Sequence, residues 1–303
     1  MFFRTEKKWG DWIRASARDF NALLDFLSPR AHSSVPFTSR LLNTSRKPDS
    51  TMLNRNPVFI KRESGRVSGA LMLSPESIFS PVFGENCDIR DLDAMAASSS
   101  FFKKKYITLM GSTEDVKRFE SVIYNRSSMS VDYHLLSAAS KDILSISHDY
   151  VQNKEASSMG IQIRLASTGD LNLLMPLRRA YEIEEVILSP ENFNEISCRR
   201  RFSMTIKEHA VFFADSGGRP LATSCINAEG IGFMQIGGVF TLPELRSKGI
   251  SATLMQRIAE HASALNKDLT LFVKKDNPAA LKLYKNCGFK KRGDYRITYL
   301  ESR

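Results

Sequence analysis

The sequence predicts a layered α/β fold, of the α+β kind, in which helices flank a mixed sheet. The chain has 303 residues, enough for two ordinary domains. Its composition, 42% hydrophobic and 25% charged, is typical of folded globular proteins. Short β-rich runs alternate with amphipathic segments in both halves, and the order in the second half is β-α-α-β-β-β-α-β-α-β.

The first half predicts a helix, a hairpin and a strand–helix unit. Apolar residues over 9–28 fall near helical spacing, and Glu63–Gly65 separates two short apolar runs. A strand to Met110 precedes a helix capped by Ser112 or Thr113, and residues 131–139 add another strand. The polar stretch 147–160 is a linker candidate. We therefore expect two domains, 1–155 and 156–303.

The second half predicts six further strands and four helices. The predicted strands are 161–167, two runs that Gly217–Gly218 joins as a hairpin, 232–243, 269–275 and a final strand near 295–300. The predicted helices start near Thr168 or Asp170, near 190, after Gly249 and at Pro278. Pro176 is expected to bend the first of these helices.

The net charge and the positions of the cysteines limit the classes of binding partner that we expect. The net charge of +10 favours anionic partners, whether phosphorylated cofactors, nucleic acid or acidic lipid. No basic block is interleaved with aromatic residues, so we do not expect nucleic acid, although ribosome or nucleic-acid association remains a third hypothesis. The four cysteines lie far apart, which favours buried thiols and no metal site. Without an apolar run that could span a bilayer or act as a signal peptide, we expect a cytoplasmic protein.

The segment "PELRSKGISATLMQRIAEH" joins a strand to an amphipathic helix. A helix that starts after Gly249 exposes unpaired N–H groups and the positive end of its dipole. Arg246 and Lys248 add formal charge beside them. This pattern fits a pyrophosphate site, and it equally fits an ordinary glycine cap of a helix.

Two motifs resemble the GNAT superfamily of acyl-CoA-dependent N-acyltransferases. Its signature, Arg or Gln, two residues, Gly, any residue, Gly or Ala, is similar to Arg246 through Ser251, with Ser251 departing from the last position. The second motif is "DNPAALKLYKNCGF", which contains Asn277 and Tyr284. The resemblance covers residues 161–300. It implies a mostly antiparallel, GNAT-like sheet and, for the whole chain, two tandem domains.

The resemblance also implies a cofactor, acetyl-CoA or another acyl-CoA, used as co-substrate without a metal. The strands "GGVFT" and "LTLFV" would splay to admit the pantetheine arm. The implied cofactor-binding residues are Val239, Phe240 and Thr241 for the arm and acyl carbonyl, Arg246, Ser247, Lys248, Gly249, Ile250, Ser251 and Ala252 for the pyrophosphate, and Asn277 for the arm.

The same resemblance assigns a general acid and leaves the base open. Tyr284 occupies the place of the tyrosine that protonates the coenzyme A sulfur, or it packs in the core with its hydroxyl bonded elsewhere. Several members carry a glutamate where this chain has Phe272. Glu184 and Glu185 are therefore candidate bases, although both also fit exposed helix charges. We interpret Cys287 as a packing residue.

The first half lacks the pyrophosphate signature. Its comparable stretch, "SPVFGENCDIRDLDAM", is acidic and would repel a pyrophosphate. We expect a degenerate GNAT-like domain without cofactor, beside an N-acyltransferase domain that transfers acetyl to a primary amine by direct attack in a ternary complex. The acceptor would be a small molecule or a protein, with no membrane partner. The alternative is a non-catalytic acyl-CoA-binding regulatory protein.

Overall fold

The computed structural model describes residues 8–98, 100–123, 126–146, 160–187 and 189–302. Its strands are β1 Lys8–Trp9, β2 Trp12–Arg14, β3 Val58–Glu63, β4 Arg66–Leu73, β5 Ile78–Phe83, β6 Tyr106–Ser112, β7 Arg126–Ala138, β8 Gln162–Leu165, β9 Val211–Ser216, β10 Arg219–Glu229, β11 Phe233–Thr241, β12 Asp268–Lys274 and β13 Lys290–Ser302. Its helices are α1 Phe20–Leu27, α2 Val35–Ser39, α3 Met52–Arg55, α4 Leu92–Ser98, α5 Thr113–Glu120, α6 Ser140–Ser145, α7 Leu171–Tyr181, α8 Glu195–Glu208, α9 Ile250–Ala264 and α10 Pro278–Asn286.

A single sheet joins all of these strands, in the order β1-β2-β3-β4-β5-β6-β13-β7-β12-β11-β10-β9-β8. Within the described chain, two neighbouring pairs are parallel, β5 with β6 and β11 with β12, and the other pairs are antiparallel. The predicted mixed, mostly antiparallel sheet with flanking helices is confirmed. The predicted element order of the second half is confirmed as well.

The two halves of the chain exchange strands at the centre of the sheet. Strand β7, from the first half, pairs with β12, and Leu136 lies opposite Leu271. Strand β13, from the second half, pairs with β6, and Ile297 lies opposite Met110. Because β7 and β13 also pair with each other, each half completes the sheet of the other. The predicted boundary at 155 lies outside the described residues and stays a prediction.

The helix after Gly249 is fixed to the sheet by its apolar face. Ile250, Leu254 and Ile258 are buried in one cluster with residues of β11 and β12. This burial follows the predicted helical stripe. Leu265 is 41% exposed because the helix ends at Ala264 and Leu265 is its C-cap.

The predicted helix over 9–28 is wrong in its first part. A short hairpin, β1–β2, turns at Gly10, which has a φ of 53°, and Ile13 pairs with Ile60 of β3. The helix begins only at Phe20. Tryptophan and isoleucine have high strand propensity, and pairing with β3 outweighs their approximate helical spacing. The other predicted elements of the first half are confirmed, including the cap in which Ser112 accepts from the Asp115 N–H at 3.1 Å.

Other sequence expectations concern cysteines and membranes. Cys87, Cys198, Cys225 and Cys287 are free thiols and buried, as predicted. Among the described residues, no helix combines the length and apolar character needed to cross a bilayer. The same residues contain no group of three or more histidine, cysteine or acidic side chains arranged to hold a metal ion.

Candidate active site

The turn before α9 contains two left-handed backbone conformations. Ser247 has a φ of 64°, and Gly249, the N-cap, has a φ of 83°. Glycine adopts such values freely, whereas serine is strained by roughly 1 kcal/mol. No described group accepts a hydrogen bond from the backbone N–H of Gly249, Ile250 or Ser251. These free donors at the positive end of a helix form a site suited to an anion.

Strands β11 and β12 separate just before this turn. Their parallel pairing ends with Ile236 opposite Leu271, although both strands continue. On the other side of β11, Thr223 lies opposite Phe240 and Cys225 opposite Gly237, so β11 carries one extra residue. Such a bulge bends a strand and increases its twist. The separation therefore leaves backbone groups of β11 unpaired on the side that faces β12.

Glycine is required at the bulge for two reasons. Gly238 has a φ of 59°, which disfavours other residues. A Cβ atom there would lie 2.9 Å from the Sγ atom of Cys225. At Gly237, a Cβ atom would overlap the side-chain amide of exposed Asn227, which would have to move. The two adjacent glycines therefore lie at the bulge.

The predicted arm-binding residues line the end of β11 beside the helix turn. Val239 is half-buried, while Phe240 and Thr241 are buried. The Thr241 hydroxyl lies 2.7 Å from the Ser251 hydroxyl. Ser251 thus has a local hydrogen-bond partner, which explains how a serine is accommodated where the signature has glycine or alanine.

Arg246 points away from the free N–H groups in this structure. One of its Nη atoms lies 2.8 Å from both carboxylate oxygens of Glu184, and its Nε donates to the Thr241 carbonyl at 3.2 Å. Its guanidinium also covers the Phe240 ring. Both members of the ion pair are nearly half exposed, so the pair contributes little to stability. Lys248 has no ion pair among the described residues and is the basic side chain left at the turn.

Glu185 is held on the opposite side of the opening, near the second motif. Asn277 caps α10 by accepting the Ala280 N–H at 3.0 Å, and its amide donates to Glu185 at 3.2 Å. The Nζ atom of Lys274 lies 3.2 Å from the other Glu185 oxygen. Asn277 is therefore the N-cap of α10. Glu185 is 25% exposed, whereas Glu184 is 43% exposed, so the two candidate bases occupy different environments.

Tyr284 lies inside the core of the second half, on α10. Its ring meets Phe289 edge to face, with ring centroids 5.7 Å apart. Its hydroxyl forms no hydrogen bond with the described residues. Burial raises the pKa of Tyr284 above its ordinary value, and the charges of Tyr181 and Glu185 act in the same direction. The tyrosine therefore keeps its proton at neutral pH.

Two tyrosines near Glu185 were not identified from the sequence. Burial raises the pKa of Tyr181 to about 12 and that of Tyr133 to about 12, and Glu185 adds to both shifts. Tyr181 stands four residues before Glu185, so helical spacing could have revealed it. Tyr133 comes from the first half and reaches the site because it pairs with Lys274 across β7 and β12. No local sequence signal reveals a pairing over that separation.

A buried ion cluster fixes the segment that carries both glutamates. Helix α7 continues into a π-helical turn, Glu182–Val186. The Glu182 carboxylate is almost fully buried and accepts from Arg178 at 2.9 Å and from Arg201 at 2.6 Å. A buried carboxylate needs such partners to remain charged. Glu182 therefore has a structural role, while Glu184 and Glu185 stay at the surface of the opening.

Comparison with protein families decides the nature of this half. Residues 176–289 match the model of the Acetyltransferase (GNAT) family. Residues 176–289 are a GNAT acetyltransferase domain. The match includes the turn at Gly249, the opening between β11 and β12, and Tyr284. GNAT proteins use acetyl-CoA, so the free N–H groups belong to a domain type that binds a diphosphate-bearing ligand. Among curated proteins, none matches this sequence.

The fold continues over the whole chain. A Drosophila protein solved by X-ray crystallography shares 12% identity at a TM-score of 0.68, covering 96% of this chain and 98% of that one. A tandem GNAT protein from the clavulanic acid biosynthesis pathway shares 13% identity at a TM-score of 0.55, covering 95% and 97%. A GCN5-related N-acetyltransferase from Kribbella flavida shares 14% identity at 0.51, covering 78% and 86%. These identities show similarity of fold alone, and the fold shared with the tandem GNAT protein extends over both halves of the chain.

The first half has a counterpart of the opening, but its own side chains fill it. Parallel β5 and β6 pair only through Ile78 opposite Thr108 and Phe79 opposite Leu109. Beyond that point, the Phe83 N–H donates to the Asp115 carboxylate at 2.9 Å. Arg118 donates to the carbonyls of Gly84 and Cys87 at 2.9 and 2.5 Å. One N–H of β5 and two carbonyls beyond it are therefore bonded to side chains of α5 here.

Proposed function

We propose that this protein is an acyl-CoA-dependent N-acyltransferase that transfers acetyl from acetyl-CoA to a primary amine. One observation carries the proposal. An unpaired edge of β11 precedes a turn with free N–H groups at the start of α9, and Tyr284 and Glu185, which interact electrostatically, supply groups suited to an acid and a base. The amine would attack directly, within a ternary complex of protein, cofactor and acceptor.

The residues present fit coenzyme A. The N–H groups of Gly249, Ile250 and Ser251, with Lys248 beside them, would hold the pyrophosphate. Backbone groups of Val239 to Thr241 would hold the pantetheine arm as an added strand is held. When bound, the cofactor supplies an acetyl group activated as a thioester. Arg246 would have to exchange Glu184 for a phosphate oxygen, a small loss for an exposed pair.

Tyr284 would act as the general acid. Its raised pKa keeps the hydroxyl protonated, so it can donate a hydrogen bond to sulfur as negative charge develops there. Burial strengthens that hydrogen bond because the surroundings screen it weakly. Cys287, whose pKa burial raises to about 12, is a poor nucleophile at neutral pH. This supports attack by the amine itself.

Glu185 would act as the general base in preference to Glu184. Asn277 and Lys274 fix its carboxylate near Tyr284, while Glu184 is bound to Arg246 on the pyrophosphate side. A positioned carboxylate can take the proton of an attacking ammonium or amine directly or through one water. Phe272, at the place of the glutamate found in other members, instead stacks on Tyr295 with ring centroids 3.7 Å apart.

The first half would bind no cofactor and would complete the acceptor side of the site. Asp115 already accepts from the Phe83 N–H, a backbone group that a pantetheine arm would need. Arg118 is held by the carbonyls of Gly84 and Cys87. Tyr133 of β7 supports a role in the neighbouring half. We propose residues 1–155 as this degenerate domain and 156–303 as the acyltransferase domain.

Calorimetric titration with acetyl-CoA, combined with a free-thiol assay over a panel of primary amines, tests the proposal. Binding and amine-dependent release of coenzyme A are expected. Binding without turnover on any amine would favour a regulatory acyl-CoA-binding protein. Absence of binding at low ionic strength would remove the proposal altogether.

A further inference from the structure

The strands exchanged between the halves present a continuous row of apolar and aromatic side chains. In antiparallel pairs, directly opposite residues lie on the same face of the sheet. The registers place Tyr299 opposite Met129 and Thr108, and Ile297 opposite Val131 and Met110. Tyr295 likewise lies opposite Tyr133. We call the face formed by the following six side chains the open face: Met110, Met129, Val131, Tyr133, Ile297 and Tyr299.

The other face of these strands is covered. Helix α5 packs there, with Val116 and Phe119 against Leu109. An ion network of Arg296 with Asp132 at 2.8 Å and Glu120 at 3.2 Å lies on the same side. On the open face, by contrast, Met129 is 48% exposed and Tyr299 is 38% exposed, and Met110, Val131, Tyr133 and Ile297 are half-buried.

The open face leads directly to the candidate base. Tyr133 is the cross-strand partner of Lys274, and the Lys274 ammonium lies 3.2 Å from Glu185. Burial raises the pKa of Tyr133 to about 12, with Tyr299 and Glu185 as contributing neighbours, which is consistent with their closeness. From Tyr133 to Met129 the strand rises about 13 Å. The open face is therefore a surface of that length beginning at the reactive end of the site.

We infer that the open face binds the acceptor, and that the acceptor is a primary amine carrying an extended apolar body with an aromatic ring. The inference rests on the proposed function and names its substrate class. An amine placed at Glu185 would lay its body along Tyr133, Val131 and Met129. Burial of a ring on such a surface favours it over a short alkylamine by roughly tenfold to hundredfold. Aminoglycosides and polyamines, which carry several separated charges, would have to bury some of them on uncharged side chains.

A matched pair of amines tests the inference. With acetyl-CoA saturating, kcat/KM is compared for 2-phenylethylamine and ethylamine, and the binding of both amines to the protein–coenzyme A complex is measured by calorimetry. The expected result is tighter binding and a higher kcat/KM for 2-phenylethylamine, by at least tenfold. Equal values for the two amines, or no binding of either to the complex, would overturn the inference.

Two variants with the same chemical change locate the effect. Met129→Glu places a charge on the open face, whereas Met204→Glu places one on α8 at a position that is 49% exposed. We expect Met129→Glu to reduce the preference for 2-phenylethylamine about tenfold with an unchanged Kd for coenzyme A, and Met204→Glu to alter neither. Identical behaviour of the two variants would contradict the inference.

A further experiment tests whether the open face binds the acceptor amine or the acyl group of the cofactor. If benzoyl-CoA loses tenfold in kcat/KM through Met129→Glu while the phenylethylamine preference is unchanged, the open face binds the acyl group and the inference fails. Failure of the proposed function itself looks different, because the unaltered protein would then bind no coenzyme A.

Discussion

The adjacent glutamates Glu184 and Glu185 offer the sharpest test of the chemistry. Glu185→Gln removes a carboxylate held by Asn277 and Lys274, and Glu184→Gln removes one held by Arg246. Both substitutions keep the size of the side chain and delete one charge. We expect Glu185→Gln to change the catalytic rate and Glu184→Gln to change the affinity for coenzyme A.

The expected magnitudes follow from these contacts. A positioned general base contributes about 10² to 10⁴ in rate, so Glu185→Gln should lower kcat by that factor. The lost pair with Lys274 is partly exposed and contributes at most about 1 kcal/mol, so the fold should persist. Glu184→Gln frees Arg246 for a phosphate oxygen. Its kcat should stay within about twofold, and its Kd for coenzyme A should fall up to about fivefold, the equivalent of about 1 kcal/mol.

Steady-state thiol release with a responsive amine, calorimetry with coenzyme A, and thermal denaturation together measure all three quantities. The pH dependence of kcat is a further readout, because a loss of stability alone would not change its shape. The profile of kcat against pH should change shape in Glu185→Gln and keep the shape of the unaltered protein in Glu184→Gln. If both variants keep full activity, or if Glu184→Gln is the inactive one, the assignment of Glu185 as base is refuted.

Three further predictions concern the acid and the closed opening of the first half. Tyr284→Phe should lower kcat about 10²-fold with an unchanged acetyl-CoA Kd, and equally so at pH 7 and pH 9, because burial keeps the tyrosine protonated across that range; a pH-dependent loss would contradict this. Ser112→Ala removes the N-cap of α5, so denaturant titration should show a free energy of unfolding about 1 kcal/mol lower. An unchanged free energy of unfolding would contradict this prediction. Arg118→Ala removes the donor of the Cys87 carbonyl and should cost about 1 to 3 kcal/mol with coenzyme A affinity unaltered; a changed affinity would mean that the first half contributes to cofactor binding.

Local patterns predicted most elements of this fold, and they failed where distant pairing decided the outcome. Ser112 and Gly249 are N-caps at the positions that the neighbouring sequence predicts, because caps and turns depend on a few consecutive residues. Trp9 and Trp12 were assigned to a helix because nothing nearby shows that β2 will pair with β3. The exchange of β7 and β13 is likewise invisible to local periodicity.

The candidate site divides in the same way. Its turn, its bulge glycines and Asn277 as a cap follow from short motifs. The ion pair between Arg246 and Glu184 spans 62 residues of sequence. Charge patterns suggest a partner for an arginine only at short helical spacings, so that pair could not be anticipated.

The measurement that tests the central claim most directly is the stoichiometry of coenzyme A binding in the unaltered protein and in Gly249→Glu. We expect one equivalent per chain, bound at the start of α9, and loss of binding when an acidic side chain is introduced at a φ of 83°. Two equivalents per chain would contradict the closed opening of the first half. Undiminished binding by Gly249→Glu would contradict the site itself.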